Sequence, residues 1–487
     1  MTLYPIPDTQ YPVRARELTA LVAVLLLAAA FRLAALDSVP PGLHHDEAII
    51  AQVAKDILCG RLEIYFPEGY GHEPLYHYLL AGMFALGGAN EFALRLTTAL
   101  LGILTVAVAW RMARAMFGPG VALASAAWMA VSLWPIFYSR IGLRNITLPL
   151  MISLTVWLLW SNLKSPISHL KFALAGVVFG LTFYTYQGSR VFPAVFLIWA
   201  AYLAIFHREA FARNWKGIVV FFAIAALVAA PLAYYLTVVN PQAEARVENL
   251  MEPLKALAAG NPSQVLSLAL ATAGMFTVRG DGVWLYNVGG RPVFPEPISG
   301  ALFCIGLFIA LWRWRKPQYA LLLIWLPVSL APAAVTWPAP NFVRALGALP
   351  ITFIFPAIAA IEISKFKWHA RLLRFDIWHL IFVALIAVNG VWTARDYFGL
   401  WPRNAEVRWL YQATWTQAVR WLEASPETTP VAASGLKIHD LDSQTFDILM
   451  RRRDVRVKWF DCRTSILLPA SGVMRYISPD FFPCDAG

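Results

Sequence analysis

Charge is scarce in this chain. Only 14% of its residues are Asp, Glu, Lys or Arg, against 59% hydrophobic, whereas soluble globular proteins carry about 25% charged residues. With a mean hydropathy of +0.57, that shortage excludes an ordinary soluble protein. Cysteine is scarce too. The four cysteines form no Cys-x-x-Cys pair and no zinc spacing, which excludes a thiolate metal centre. Cys59 and Cys304 are isolated, while Cys462 and Cys484 share the C-terminal segment, either as a disulfide or as two unpaired thiols. Internal repeats and low-complexity stretches are also missing. Acidic residues are outnumbered, 29 to 40, for a net charge of +11. The Lys and Arg residues fall in short clusters between apolar runs, as a topology signal does, and nucleic acid is excluded as a partner.

What the chain has is long apolar runs. A run of about 18 residues crosses the hydrocarbon core of a bilayer. Such runs lie near 18–36, 93–113, 119–138, 146–162, 170–187, 191–207, 217–239, 298–314, 317–335, 345–364 and 376–395. They predict an all-α polytopic membrane protein of about eleven transmembrane helices. The first run follows Arg14 and Arg16 with no convincing cleavage site, and reads as a retained span. The 20 Trp and 17 Tyr suit interfacial belts. With the N-terminus cytoplasmic, the inside connections hold Arg14/Arg16, Arg111/Arg114, Lys164, Arg208/Arg213/Lys216, Arg313/Arg315/Lys316 and Lys365/Lys367/Arg371/Arg374. This positive-inside pattern predicts a multi-pass protein of the plasma (inner) membrane. Residues 1–395 then form the transmembrane domain, with external loops at 37–92 and 240–297. Residues 396–487 form a small external α/β appendage, with strands at 430–434 and 455–460 and a helix at 442–450. The first loop carries an amphipathic helix over 46–58, lying on the bilayer surface and ended by Gly60, and a second helix after Pro74.

The polar residues at the outer face are the candidates for chemistry. Asp46 and Glu47 follow His44 and His45 at a helix start beside a span. A carboxylate at that depth either acts as a base or only caps the helix and complements its dipole. His44 and His72, with Asp46, are possible ligands of a divalent metal, although loop histidines are more often not ligands. Glu73, in His72-Glu73-Pro74, either joins the site or is a solvated turn residue. Arg140, Arg144, Arg190, Arg279 and Arg344 all fall at the predicted outer surface, with Asp281 beside Arg279. Singly, each arginine reads as a snorkelling anchor. Together they suit a phosphate or diphosphate, which guanidinium groups bind bidentately. The loop from Gly282 to Pro292 is aromatic and glycine-rich, as sugar-stacking and interfacial segments both are.

From about Leu43 to Trp160 the chain resembles membrane glycosyltransferases of the GT-C fold, and within them the family-39 group of protein O-mannosyltransferases and lipid A aminoarabinose transferases. The residues that carry the resemblance are His45-Asp46-Glu47-Ala48, the run from His72 through Glu73, Pro74 and Tyr76 to Leu79, then Ala93 to Leu96, Ala113 to Gly118, and Tyr138-Ser139-Arg140. The resemblance implies a sugar donor on polyprenyl phosphate, used at the external face, with an acceptor protein, lipid or glycan. It implies Asp46 as catalytic base, and brings Glu73 and Tyr76 into the site. Two departures stand out. Relatives often read Glu-Lys-Pro-Pro where this chain has Gly71 to Leu75, and the loop at 240–297 is too short for the luminal domain of protein mannosyltransferases. The expected reaction is an inverting transfer. Asp46 deprotonates the acceptor and the lipid phosphate leaves toward Arg190, Arg279 and Arg344. The competing class is a transporter or binding protein for a lipid-linked saccharide, which would favour repeated halves and mid-membrane polar helices. A metal-dependent lipid-phosphate hydrolase would need a denser His/Asp cluster.

Overall fold

Among the described residues, each of the eleven apolar runs is largely helical. The structure is a computed structural model that describes residues 13–163, 169–244, 252–365, 377–435, 442–469 and 472–478. Among these, seven helices are long and apolar enough to cross a membrane, and five shorter apolar helices accompany them. In chain order the first ten are α1 (Ala15–Leu33), α2 (His45–Leu58), α3 (Leu75–Gly87), α4 (Glu91–Phe117), α5 (Pro119–Val131), α6 (Leu133–Tyr138), α7 (Thr147–Leu163), α8 (His169–Thr182), α9 (Phe192–Phe206) and α10 (Arg208–Tyr234). Helices Pro297–Trp312, Pro317–Ala334, Ile354–Ser364 and Ile377–Ala394 complete the bundle. α4 packs between α5 and α7, α8 against α10, and Pro297–Trp312 against Ile354–Ser364. The last contact is close because of Gly306, where a Cβ would stand 1.9 Å from the Phe355 carbonyl oxygen.

The run at 119–138 is not one helix. It breaks at Ser132, which is extended (φ −73°, ψ 145°). Pro135 explains the break: it has no N–H, and its ring would clash with the carbonyl four residues earlier. The break leaves carbonyls unpaired in an apolar setting, and Arg32 takes them. It donates to Met129 O (3.3 Å) and Ala130 O (3.1 Å), and to Ser139 Oγ (3.2 Å). A fully buried arginine at the end of α1 thus caps a broken helix.

The first loop contains α2 and α3, close to the expected places. α2 buries Ala48, Ile50, Ala51, Val53, Ala54 and Ile57. That face packs on α3 and on the C-terminal helix Asp442–Leu449.

The C-terminal segment holds a three-stranded parallel sheet in the order β2-β1-β3, with β1 at Val431–Ser434, β2 at Val457–Phe460 and β3 at Arg475–Ile477. Val431 pairs with Val457 on one side and Arg475 on the other. Helix Asp442–Leu449 lies between β1 and β2 in the chain, as a parallel pair needs a crossover. The sheet has its own core of Trp415, Val419, Leu422, Val431, Phe446 and Met450. Tyr397, Trp401, Val407 and Tyr411 instead belong to the main transmembrane core. Residues just past 395 therefore root the appendage in the bundle. Cys59 and Cys304 are free thiols. Cys462 is disulfide-bonded, and Cys484 lies outside the described residues.

Candidate active site

The first turn of α2 sets the geometry. His44 is its N-cap (φ −73°, ψ 151°). Its Nδ1 accepts from Asp46 N (3.1 Å), and Glu47 Oε2 accepts from His44 N (3.0 Å). This is a capping box with histidine in the place of serine. The box holds the Asp46 backbone and leaves its side chain outward. The carboxylate is 45% exposed, and the His44 ring nitrogen lies 3.9 Å away. Among the described residues it accepts no hydrogen bond.

Glu47 is the opposite case. It is fully buried, and its Oε1 accepts from Gly142 N (2.8 Å) and from Arg95 Nε (3.4 Å). Both oxygens are occupied, so Glu47 is an anchor rather than a catalytic base, which corrects that assignment. Arg95, also fully buried, donates to the carbonyls of Leu36, Pro40 and Gly42 and pairs with Glu91 at 2.5 Å. It gathers the loop 36–42 and α2 onto α4.

Glu73 is fully buried between two arginines, with Arg144 Nε 3.1 Å from Oε2 and Arg190 Nη2 3.5 Å from Oε1. A carboxylate so paired is a counter-ion, and neither a free base nor a solvated turn residue. Arg144 also donates to Gly71 O (3.2 Å) and lies over the Tyr186 ring. One carboxylate thus faces two guanidinium groups, those of Arg144 and Arg190. The Arg190 side chain is the more exposed of the pair, 32% against 14%.

These two centres are joined by five residues. Arg140 donates to Phe31 O (2.9 Å), Ala35 O (3.2 Å) and Val39 O (2.9 Å). Gly142 N holds Glu47, and Arg144 holds Glu73. Alternate residues of one short segment thus pin three points of the first loop. Arg140 is fully buried against Tyr397 and Phe398, so it is a structural clamp and not a phosphate ligand.

The other expected site residues divide. Tyr76 is fully buried and donates to Leu94 O (3.3 Å), which makes it a packing residue. Asp281 is buried and accepts from Val283 N and Phe342 N, both at 2.9 Å; burial pushes its carboxyl above the ordinary range. It staples the second loop to the segment before 344. Arg344 turns into its own loop, donating to Thr336 Oγ1 (2.8 Å) and Trp337 O (3.1 Å). Arg279 is exposed. His72 Nδ1 is 3.2 Å from His77 Nε2, and His77 Nδ1 is 3.2 Å from Glu73 O. Burial pushes His77 down to about 3. It is therefore neutral, giving its Nδ1 proton to the carbonyl and accepting from His72. His44, His72 and Asp46 are not gathered into a ligand set: among the described residues, no group of three or more His, Cys, Asp or Glu could hold a metal ion.

The appendage reaches this site. Lys55 pairs with Asp447, His45 Nε2 lies 3.7 Å from Asp442 Oδ1, and Arg420 donates to Asp37 O (2.7 Å). The Tyr411 ring lies 5.8 Å from that of His44. No local pattern in the sequence points to Tyr411. Arg32 and Arg95 had a usable signal, since an arginine inside an apolar run is expensive and usually has a purpose.

The family described as dolichyl-phosphate-mannose-protein mannosyltransferase matches residues 71–235. No curated protein matches the chain. Among solved structures, the apo oligosaccharyltransferase of Archaeoglobus fulgidus superposes with a TM-score of 0.60 at 14% identity, over 91% of this chain and 64% of that one. The archaeal oligosaccharyltransferase AglB of Archaeoglobus fulgidus, in complex with an inhibitory peptide and a dolichol-phosphate, gives 0.54 at 13% identity, over 91% and 64%. ArnT from Cupriavidus metallidurans, bound to undecaprenyl phosphate, gives 0.53 at 14% identity, over 91% and 85%. The chain spans 64% of the length of the archaeal oligosaccharyltransferase. At these identities the likeness concerns the fold: this is a multi-pass membrane protein of the GT-C fold.

Proposed function

We propose that this chain is an inverting glycosyltransferase that moves a sugar from a polyprenyl-phosphate carrier to an acceptor at the external membrane face, with its N-terminus cytoplasmic. The observation that carries this is the pairing of one open carboxylate with one arginine pair through a single short segment. Asp46 adjoins Glu47, Glu47 holds Gly142, and Arg144 follows two residues later beside Arg190. The dolichol-phosphate and undecaprenyl phosphate of the related structures support the donor class.

In this reading Asp46 takes a proton from the acceptor hydroxyl or amine. The acceptor oxygen or nitrogen bonds to the anomeric carbon as the bond from that carbon to the phosphate oxygen breaks. The lipid phosphate leaves with one more negative charge, beside Arg144 and Arg190. Positioned cations at a developing charge are usually the largest electrostatic contribution. The exposed Asp46 then returns its proton to solvent. Around Asp46 the described residues do not supply a set of metal donors, so no step is routed through a divalent ion.

The test uses purified protein in lipid nanodiscs with undecaprenyl-phosphate-linked glucose, mannose and aminoarabinose, and a membrane extract as acceptor. Release of undecaprenyl phosphate above the protein-free rate is expected for at least one donor. Binding of every donor with no release would favour a carrier and refute the enzyme. Arg190→Ala should weaken undecaprenyl phosphate binding about tenfold, which is roughly 1.4 kcal/mol, near the low end for a hydrogen bond to a charged group. Unchanged affinity would remove Arg190 from the phosphate site.

Gly142→Ala tests the connection itself. A Cβ there would stand 2.5 Å from Leu94 Cγ, so the segment or Leu94 must shift. Misplacement by about 1 Å can cost around 10²-fold in rate. Turnover should fall at least about tenfold while phosphate-lipid binding changes less. Equal losses in both would show that the segment does not set the relation between base and phosphate.

A further inference from the structure

We propose that a groove between α1, α5 and three later helices holds an acyl chain of an anionic phospholipid, with the lipid headgroup at Arg16 and Lys365. The site stands apart from the glycosyl-transfer reading. The orientation proposed above serves only to put the headgroup in the cytoplasmic leaflet.

The groove is a cavity of about 590 Å³. Its floor is α5, which presents Gly120, Ala124 and Ala127 on one face. Ala20, Ala23, Val24 and Leu27 of α1 form one wall. Helices Pro297–Trp312, Ile354–Ser364 and Ile377–Ala394 supply the others, through residues such as Leu302, Ile361 and Phe382. Small side chains on α1 and α5 thus leave space that the neighbouring helices do not fill. Among the residues that line it, Ser364 has the one polar side chain, and its hydroxyl donates to Ile361 O (2.9 Å). Water needs two to four polar partners, so it has no reason to stay here. An apolar cavity of about 150 Å³ takes up benzene, so this one has room for a hydrocarbon chain. Inside a bilayer, lipid tails are the apolar material at hand.

The charges at one end select the headgroup. The starts of α1 and α5 lie at the same end of the bundle, since Glu17 pairs with Arg114 at 2.6 Å and α5 begins five residues after Arg114. A Cβ on Gly120 would stand 3.2 Å from Ile361 Cδ1, which brings the end of helix Ile354–Ser364 to that level. Arg16 lies one turn before Ala20 on the same face of α1, and Lys365 directly follows Ser364. Both cations therefore border the mouth of the groove. The acids nearby are engaged: Glu17 by Arg114, and Glu362 by Arg313 (2.9 Å) and Lys365 (2.8 Å). Arg16 is exposed and has no acidic partner among the described residues. Basic pockets between transmembrane helices on the cytoplasmic side suit anionic headgroups.

The experiment uses delipidated full-length protein in detergent. Native mass spectrometry follows its titration with phosphatidylglycerol, with phosphatidylcholine of the same acyl chains, and with undecaprenyl phosphate. Wild type should prefer phosphatidylglycerol to phosphatidylcholine. Arg16→Ala should weaken phosphatidylglycerol binding about fivefold, the usual effect of one cation near a lipid headgroup, and change phosphatidylcholine binding less. Ala23→Phe puts a ring into the groove from an exposed position. It should weaken both phospholipids about tenfold, the usual order for forcing extra volume into a filled apolar site, and leave undecaprenyl phosphate binding unchanged. No preference in wild type, or wild-type affinity for phosphatidylglycerol in either variant, would overturn the proposal. A matching loss of undecaprenyl phosphate binding in Ala23→Phe would overturn it too, by making the groove the seat of a polyprenyl chain. Wild type that binds the phospholipid as expected but no undecaprenyl phosphate would instead refute the glycosyl-transfer reading and leave this site standing.

Discussion

Asp46→Asn should leave a folded protein that binds undecaprenyl phosphate normally and transfers sugar about 10²–10⁴-fold more slowly, the usual contribution of a positioned base. The structure explains why the two properties should separate. The Asp46 backbone N–H, which asparagine retains, bonds to His44 in the capping box. The carboxylate itself accepts no hydrogen bond among the described residues and is nearly half exposed. Replacing it by an amide of the same shape therefore removes proton-accepting power and no structural bond. The check is a set of three measurements on one preparation: melting temperature, affinity for undecaprenyl phosphate, and release of lipid phosphate from a sugar donor. Wild-type turnover in the variant would sink the assignment of Asp46 as base. A drop in melting temperature that matches the drop in rate would reduce Asp46 to a helix cap.

Arg95→Met should do the reverse, costing stability first and activity as a consequence. Arg95 is fully buried, faces Glu47 and Glu91, and holds three carbonyls of the chain between Leu36 and Gly42. Methionine fills much of the volume but leaves Glu47 buried without its cation. Breaking a buried pair from one side costs about 3–5 kcal/mol, because the remaining charge is uncompensated. Unfolding of the variant in mild detergent should show a loss of that order, with turnover lost as α2 shifts. A variant as stable as wild type would mean that the Gly142 and His44 amides alone satisfy Glu47. Taken with Asp46→Asn, the comparison separates a residue that reacts from one that holds it in place.

Three of the carboxylates of the first loop show where sequence reasoning stops. Asp46, Glu47 and Glu73 look alike in the chain: acidic residues near helix starts, beside histidines. Their roles differ because of partners far away in sequence. Glu47 meets Arg95 and Gly142, and Glu73 meets Arg144 and Arg190. Asp46 meets nothing but its own turn. The arginines divide in the same way. Arg140 and Arg144 are four residues apart, yet one spends its donors on backbone carbonyls and the other faces Glu73.

The sequence by itself determined the architecture. Backbone polar groups inside a bilayer must be satisfied within their own segment, so a long apolar run has to be helical. Among the described residues all eleven runs are largely helical, and the loss of such runs past 395 marks where the small parallel sheet lies. Local chemistry also determined that Asp46 stands at a helix start. The tertiary structure alone decided which polar residues are open and which are consumed. In a chain with so little charge, each buried carboxylate and guanidinium must find a partner or carry a heavy desolvation cost. That pairing depends on how helices distant in sequence come together. The packing leaves the Asp46 carboxylate without a hydrogen bond among the described residues, and it brings Arg144 and Arg190 together on Glu73.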